Sequence, residues 1–177
     1  MTFPDVSIRL AGLVLVLLVV SFPAIASDRL LHLRLDSGQE IEVERFAGGN
    51  ESLVLWLPSE RGINDAHKMH ATGLAAMGHE TWLADLHDSY FIERNRTSIS
   101  QFPLDDVVSL IDVATTTSAA GVVLVSSSRG AQLALIAARE WQLKNPGNGT
   151  AEAVTESNTM LVPTSLIFCI GVVRSTS

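Results

Sequence analysis

Two short runs, residues 52–57 (SLVLWL) and 121–125 (GVVLV), constrain the fold of this chain more than any other feature. Both are apolar at consecutive rather than alternate positions. A strand with that pattern is buried on both faces, as in a parallel sheet sandwiched between helices. The intervening segments supply those helices. Residues 65–78 (DAHKMHATGLAAMG) place Ala66, Met69, Gly73, Leu74 and Met77 at helical spacing, with Asp65 as the expected N-cap and Gly78 as the stop. Residues 104–117 (LDDVVSLIDVATTT) carry one broad stripe of Leu104, Val107, Val108, Leu110, Ile111 and Ala114 behind Asp105 and Asp106, which suit a helix N-terminus. A third helix is expected over 129–144, ended by Asn145-Pro146-Gly147.

Ahead of these, 30–35 (LLHLRL) and 40–46 (EIEVERF) alternate around Asp36-Ser37-Gly38-Gln39, the pattern of a β-hairpin. Residues 80–84 (ETWLA) read as a further strand, followed by a loop over 85–102. The order predicts an α/β fold: a single domain over 27–177 with a mainly parallel central sheet, flanking helices and an opening hairpin. Residues 165–173 fit one more buried strand, with nothing after it to continue the sheet.

The first 26 residues stand apart. Arg9, an unbroken apolar stretch from Leu10 to Val20, a Ser-Phe-Pro break and Ala24-Ile25-Ala26 have the layout of a secretory signal peptide cleaved after Ala26. The apolar stretch is shorter than the ~20 residues a spanning helix needs, so a periplasmic or secreted product is expected, with an uncleaved membrane anchor as the alternative. No Cys near the cleavage site indicates a lipid anchor. Asp5 and Arg9 cancel, so the net charge of −7 survives cleavage. With no cluster of Lys and Arg, nucleic-acid binding is excluded. The single Cys169 excludes an internal disulfide, a CxxC redox pair and a cysteine zinc site. Asn50, Asn95 and Asn148 begin glycosylation sequons, which matter only in a host that glycosylates exported proteins.

The chemistry concentrates at Ser126-Ser127-Ser128-Arg129-Gly130, between the second buried strand and the third helix. A sharp strand-to-helix turn lifts one side chain above the sheet and aims free helix N–H groups at it, the physical content of the G-x-S-x-G nucleophile elbow. Small residues are required two before and two after the serine, where strand and helix pack closely. Ser128 is the better register, because centring on Ser127 would put Arg129 at the close-packed position. A serine capping the helix is the plainer alternative.

In order and spacing, LVLWLPSERG (53–62), ATGLAAMGHETWLADLHDSY (71–90), DDVVSLIDVA (105–114) and VVLVSSSRGAQLALIAA (122–138) resemble the N-terminal half of an α/β-hydrolase, over about residues 30–144. The resemblance implies Ser128 as nucleophile, with an oxyanion hole made by the backbone N–H of Arg129 and one from Ser59 or Glu60. It also implies a small-molecule ester or acyl substrate and no cofactor or metal. Two departures stand out: Pro58-Ser59-Glu60-Arg61-Gly62 replaces the usual His-Gly oxyanion loop, and Ser126 replaces a glycine.

Triads of that family run Ser, then Asp or Glu, then His. Here all five histidines (His32, His67, His70, His79, His87) precede Ser128, and no Asp or His follows it. Weak or absent activity is expected. The alternatives are a non-catalytic binding protein on the same fold and a shortened piece of a longer hydrolase, the latter predicting an exposed sheet edge at 165–173. His87, after the strand ending near Asp85, is a candidate substitute base against the plainer reading of a loop histidine. His67 and His70 with Asp65 are a candidate metal pair lacking a clear third ligand, against a solvated helix face. Glu140, Asp105, Asp106 and Asp112 are expected on solvent faces.

Overall fold

The structure is a computed structural model and describes residues 29–146 together with the backbone of Phe168–Val173. The signal peptide expected at residues 1–26, its expected cleavage after Ala26 and the Asn148 sequon lie outside the described residues. The elements run β1 (Leu30–Arg34), β2 (Glu40–Phe46), β3 (Ser52–Trp56), α1 (Asp65–Ala76), β4 (His79–Ala84), a short α2 (Leu86–Ser89), a 3-10 turn (Ser98–Gln101), α3 (Leu104–Thr117), β5 (Val122–Ser126), α4 (Gly130–Lys144) and β6 (Phe168–Val173). They form a mixed α/β fold around one sheet of order β1-β2-β4-β3-β5-β6.

Parallel pairing is confined to the central trio β4-β3-β5. The β1/β2, β2/β4 and β5/β6 pairs are antiparallel, so the sheet is mixed where the sequence pattern predicts a mainly parallel one. The physical reason is connectivity. A four-residue-scale turn can only return a strand antiparallel to its neighbour, and the hairpin so formed docks its second strand along β4. Arg45 of β2 fixes that docking by gripping both oxygens of Glu80 on β4, each at 2.8 Å, while Trp82 Nε1 donates to the same carboxylate at 2.7 Å. The Arg45 guanidinium, with help from Trp82, holds the Glu80 carboxyl below its ordinary value against the opposing effect of burial. On the other flank β6 ends the strand order, antiparallel to β5, with a register shift at Val123/Leu124.

Consecutive apolar positions in β3 and β5 are used on both faces, as the pattern requires. Leu53, Leu55, Leu57, Val122 and Leu124 pack with Val107, Val108, Leu110 and Ile111 of α3 and Leu133, Ala134, Ala137, Ala138 and Trp141 of α4. Val54, Trp56 and Val125 face the other way, onto Ala71 of α1. Helix α1 therefore covers one face, and α3 and α4 the opposite one.

That arrangement locates a crevice. The chain leaves the C-terminal end of β3 toward α1 on one face, and the C-terminal end of its parallel neighbour β5 toward α4 on the other. The two connections diverge and leave a gap above adjacent strand ends, where open α/β sheets hold their ligands.

Local chemistry departs from expectation in three places. The N-cap of α1 is Asn64 rather than Asp65: its Oδ1 accepts from the N–H groups of Ala66 and His67, and His67 Nδ1 accepts from the Asn64 N–H, completing a capping box with histidine in the usual Glu/Gln position. Asp106 is buried and accepts the Tyr90 hydroxyl at 2.5 Å, which, after burial itself, pushes the Tyr90 phenol far up. Asp112 and Asp105 are exposed as expected, Asp112 also accepting Trp141 Nε1 at 3.1 Å and Asp105 pairing with Lys144 at 2.8 Å. The segment 85–102 is not a plain loop, since it carries α2 and the 3-10 turn.

Candidate functional site

The C-terminal end of β5 carries Ser126, Ser127 and Ser128 into the first turn of α4. Ser128 has φ +52°, a left-handed conformation that costs a residue with a Cβ roughly 1–2 kcal/mol and that marks sites where the surrounding structure imposes strain. The turn is held by Gly130 N–H on the Ser127 carbonyl at 3.0 Å and Ala131 N–H on the Ser128 carbonyl at 3.3 Å. Ser128 and Arg129 are exposed, while Ser126 and Ser127 are buried.

Gly130 explains how the neighbouring loop comes so close. A Cβ at this position would collide with the Pro58 carbonyl oxygen and the Ser126 hydroxyl. Only a hydrogen at position 130 lets the chain after β3 cross above the start of α4. Ser126, in the position where the elbow pattern has glycine, is accommodated with its hydroxyl buried and unpartnered among the described residues.

The crossing segment is a tight turn. The Leu57 N–H extends the β3/β5 ladder to the Val125 carbonyl at 2.8 Å, and Pro58 then leads into Ser59-Glu60-Arg61-Gly62, closed by Gly62 N–H on the Ser59 carbonyl at 2.9 Å. Gly62 takes φ +74°, and Ser59 Oγ accepts the Arg61 N–H at 3.2 Å. Ser59 is thereby buried at the base of the turn, and Glu60 stands at its tip facing the elbow.

The two segments meet through one carboxylate. Ser128 Oγ donates to Glu60 Oε1 at 3.0 Å, and the Arg129 N–H donates to Glu60 Oε2 at 3.3 Å. Burial pushes the Glu60 carboxyl up. Its own backbone N–H, the Ser128 hydroxyl, the Arg129 N–H and the Arg61 guanidinium outweigh that effect and hold it below its ordinary value. An anion thus occupies the space toward which the Ser128 hydroxyl and the backbone donors of both loops converge. Nothing in the linear pattern signals this role for the Glu60 side chain, because its partners lie 68 and 69 residues away.

A cavity of about 290 Å³ opens beside the pair, lined by Trp56, Ser59, Glu60, His67, His70 and Ser128 among others. Its floor is Trp56, whose ring meets His67 edge-on at 5.2 Å and lies nearly parallel to His70 at 6.3 Å. The buried Trp56 Nε1–H has no partner among the described residues. His67 and His70 therefore pack against the cavity floor instead of forming a solvated face. Burial, then the neighbouring His70, holds the His67 imidazole below its ordinary pKa. Among the described residues no group of three or more His, Cys, Asp or Glu could hold a metal ion. No helix among them is long and apolar enough to cross a membrane.

His87 is placed elsewhere. It is buried against Phe102, with Nε2 at 2.9 Å from Ser98 Oγ. Since that hydroxyl donates to the Asn95 carbonyl at 2.8 Å, Nε2 carries the proton and Nδ1 is left as a buried lone pair without a partner among the described residues. Burial holds the His87 imidazole below its ordinary value of 6.5. Charging it at acid pH therefore favours the unfolded chain: the His87 contribution to stability is complete above pH 6.5 and is lost as pH falls below that value and through the lower folded-state pKa. Denaturant midpoints measured from pH 8 to 5 are expected to fall below pH 6.5, before the carboxylates protonate. A midpoint flat down to pH 5 would show that the imidazole is not buried neutral.

No protein-family model matches the chain, and no curated protein matches it. Among solved structures it is similar to the epoxide hydrolase VrEH1 from Vigna radiata, with 20% sequence identity and a TM-score of 0.45. The similarity covers 63% of this chain and 36% of that one, so this chain spans about a third of that enzyme's length.

Proposed function

We propose that Ser128 is the nucleophile of an acyl-hydrolase site of the α/β-hydrolase kind, acting slowly on small ester or acyl compounds outside the cytoplasm. The observation that carries this reading is the strained Ser128, whose hydroxyl converges with the Arg129 N–H on a single carboxylate. In the reaction, Ser128 Oγ adds to the substrate carbonyl and the developing oxyanion takes the Arg129 N–H and a backbone N–H of the β3–α1 loop. That second donor is the N–H of Ser59 or Glu60. The alcohol leaves with a proton, and water then releases the acid from Ser128.

The weak step is removal of the Ser128 proton. Among the described residues no histidine is hydrogen-bonded to Ser128, which favours as a second reading a binding protein that kept the site without the chemistry. An oxyanion hole and substrate binding without a full triad still supply about 10³- to 10⁴-fold over water. With p-nitrophenyl esters of short acids, hydrolysis of that order is expected in the parent and is expected to drop to the buffer rate in Ser128→Ala. Equal rates in parent and Ser128→Ala would discard the enzyme reading. Residues 1–26 support the extracytoplasmic placement, and an intact mass beginning at Ser27 is the expected result for the exported protein.

A further inference from the structure

We propose that the Glu60 side chain is a resident ligand of the Ser128 site, and that the site takes small carboxylic acids with an apolar body in competition with it. The donors are all of one kind. The Ser128 hydroxyl and the Arg129 N–H hold the two carboxylate oxygens at 3.0 and 3.3 Å. The Glu60 N–H faces the same group, with the Arg61 guanidinium adding positive charge nearby. Trp56 lines the adjoining cavity and keeps a buried, unpartnered Nε1–H, a further donor with no acceptor among the described residues. Donors that converge on one carboxylate select an anion or a developing oxyanion, and the N-terminus of α4 reinforces that choice.

The cavity sets the rest of the ligand. Its volume of about 290 Å³ and its Trp56, His67 and His70 walls suit a short aliphatic or single-ring body. The carboxylate of such an acid would sit where that of Glu60 sits now. Glu60 stands at the tip of its turn, and among the described residues its carboxylate has no side-chain hydrogen bond besides that to Ser128, so a rotamer change suffices to swing it out when displaced. The alternative role, Glu60 as the base for Ser128, fits poorly. A carboxylate that also spans the Arg129 N–H blocks the position of the substrate oxyanion, and one stabilised by so many donors is a weak base.

The two roles predict opposite signs. The mature protein, Glu60→Ala and Glu60→Gln are compared in two measurements: benzoate binding by calorimetry, with benzyl alcohol as the uncharged control, and the rate of labelling by a fluorophosphonate. In labelling, Ser128 Oγ bonds to phosphorus, fluoride leaves and the hydroxyl proton passes to water. If the resident carboxylate fills the site nine-tenths of the time, its removal strengthens benzoate binding and accelerates labelling about tenfold, because apparent affinity scales with the fraction of open sites. Glu60→Gln, which keeps the shape and loses the charge, is expected between the two and guards against a folding defect in Glu60→Ala.

Labelling slowed or abolished in both variants would make Glu60 the base and overturn the proposal. So would benzoate affinity unchanged from the parent, or benzyl alcohol binding as well as benzoate. The labelling arm rests on the nucleophile reading of Ser128, whereas the binding arm does not. Tenfold tighter benzoate binding with no labelling of any variant supports the resident-ligand proposal and defeats only the nucleophile.

Discussion

Gly130→Ala is expected to lower the stability of the fold by about 3 kcal/mol, at the upper end of what overpacking costs. The new methyl group would meet the Pro58 carbonyl oxygen and the Ser126 hydroxyl. One of these belongs to backbone held in register by the Leu57–Val125 hydrogen bond, so the strain is not relieved by a rotamer change. For a chain of this size that loss corresponds to a fall of about 10 °C in melting temperature. The same displacement would push the Glu60 turn away from Ser128 and break the hydrogen bonds of the Glu60 carboxylate to Ser128 Oγ and the Arg129 N–H. A thermal melt within 2 °C of the parent would mean that the loop does not cross the start of α4 at the described distance.

Ser128 gives the second large effect, and it separates strain from chemistry. Ser128→Gly is expected to keep the parent stability to within about 1 kcal/mol: relief of the left-handed backbone offsets the extra freedom of the unfolded glycine chain and the lost hydrogen bond to Glu60. Ser128→Val, β-branched at φ +52°, is expected to be less stable than Ser128→Gly by about 2 kcal/mol. Both variants lose the hydroxyl and with it all covalent labelling. Equal denaturation midpoints for Gly and Val would show that residue 128 is not held in the left-handed region.

Much of this architecture is legible in the sequence, because periodicity and punctuation agree. The apolar stripe of 104–117 and the alternation of 40–46 match α3 and β2 residue for residue, and the two doubly buried runs became the parallel core strands β3 and β5. The strand-turn-helix around Ser128 was equally plain, down to the need for a small residue at 130. What stayed hidden depends on residues distant in sequence. Nothing local in EIEVERF says that its partner is β4, and nothing in Asp106 says that Tyr90 will bury it. Asn64 is hard to read as the cap because its capping-box partner is His67, a residue type the usual pattern does not include. The role of the Glu60 side chain is hidden for the same reason as that of Asp106: it exists only where two distant segments meet.

The central claim is that Ser128 stands, reactive, where the β3–α1 loop and the N-terminus of α4 converge. Intact-mass analysis of the folded protein after prolonged exposure to an alkyl fluorophosphonate, followed by peptide mapping, tests it most directly. One adduct on the peptide containing Ser128 is the predicted result, slow in the parent, faster in Glu60→Ala and absent in Ser128→Ala. Folded parent and Glu60→Ala that both remain unlabelled, or an adduct that persists in Ser128→Ala, would contradict it.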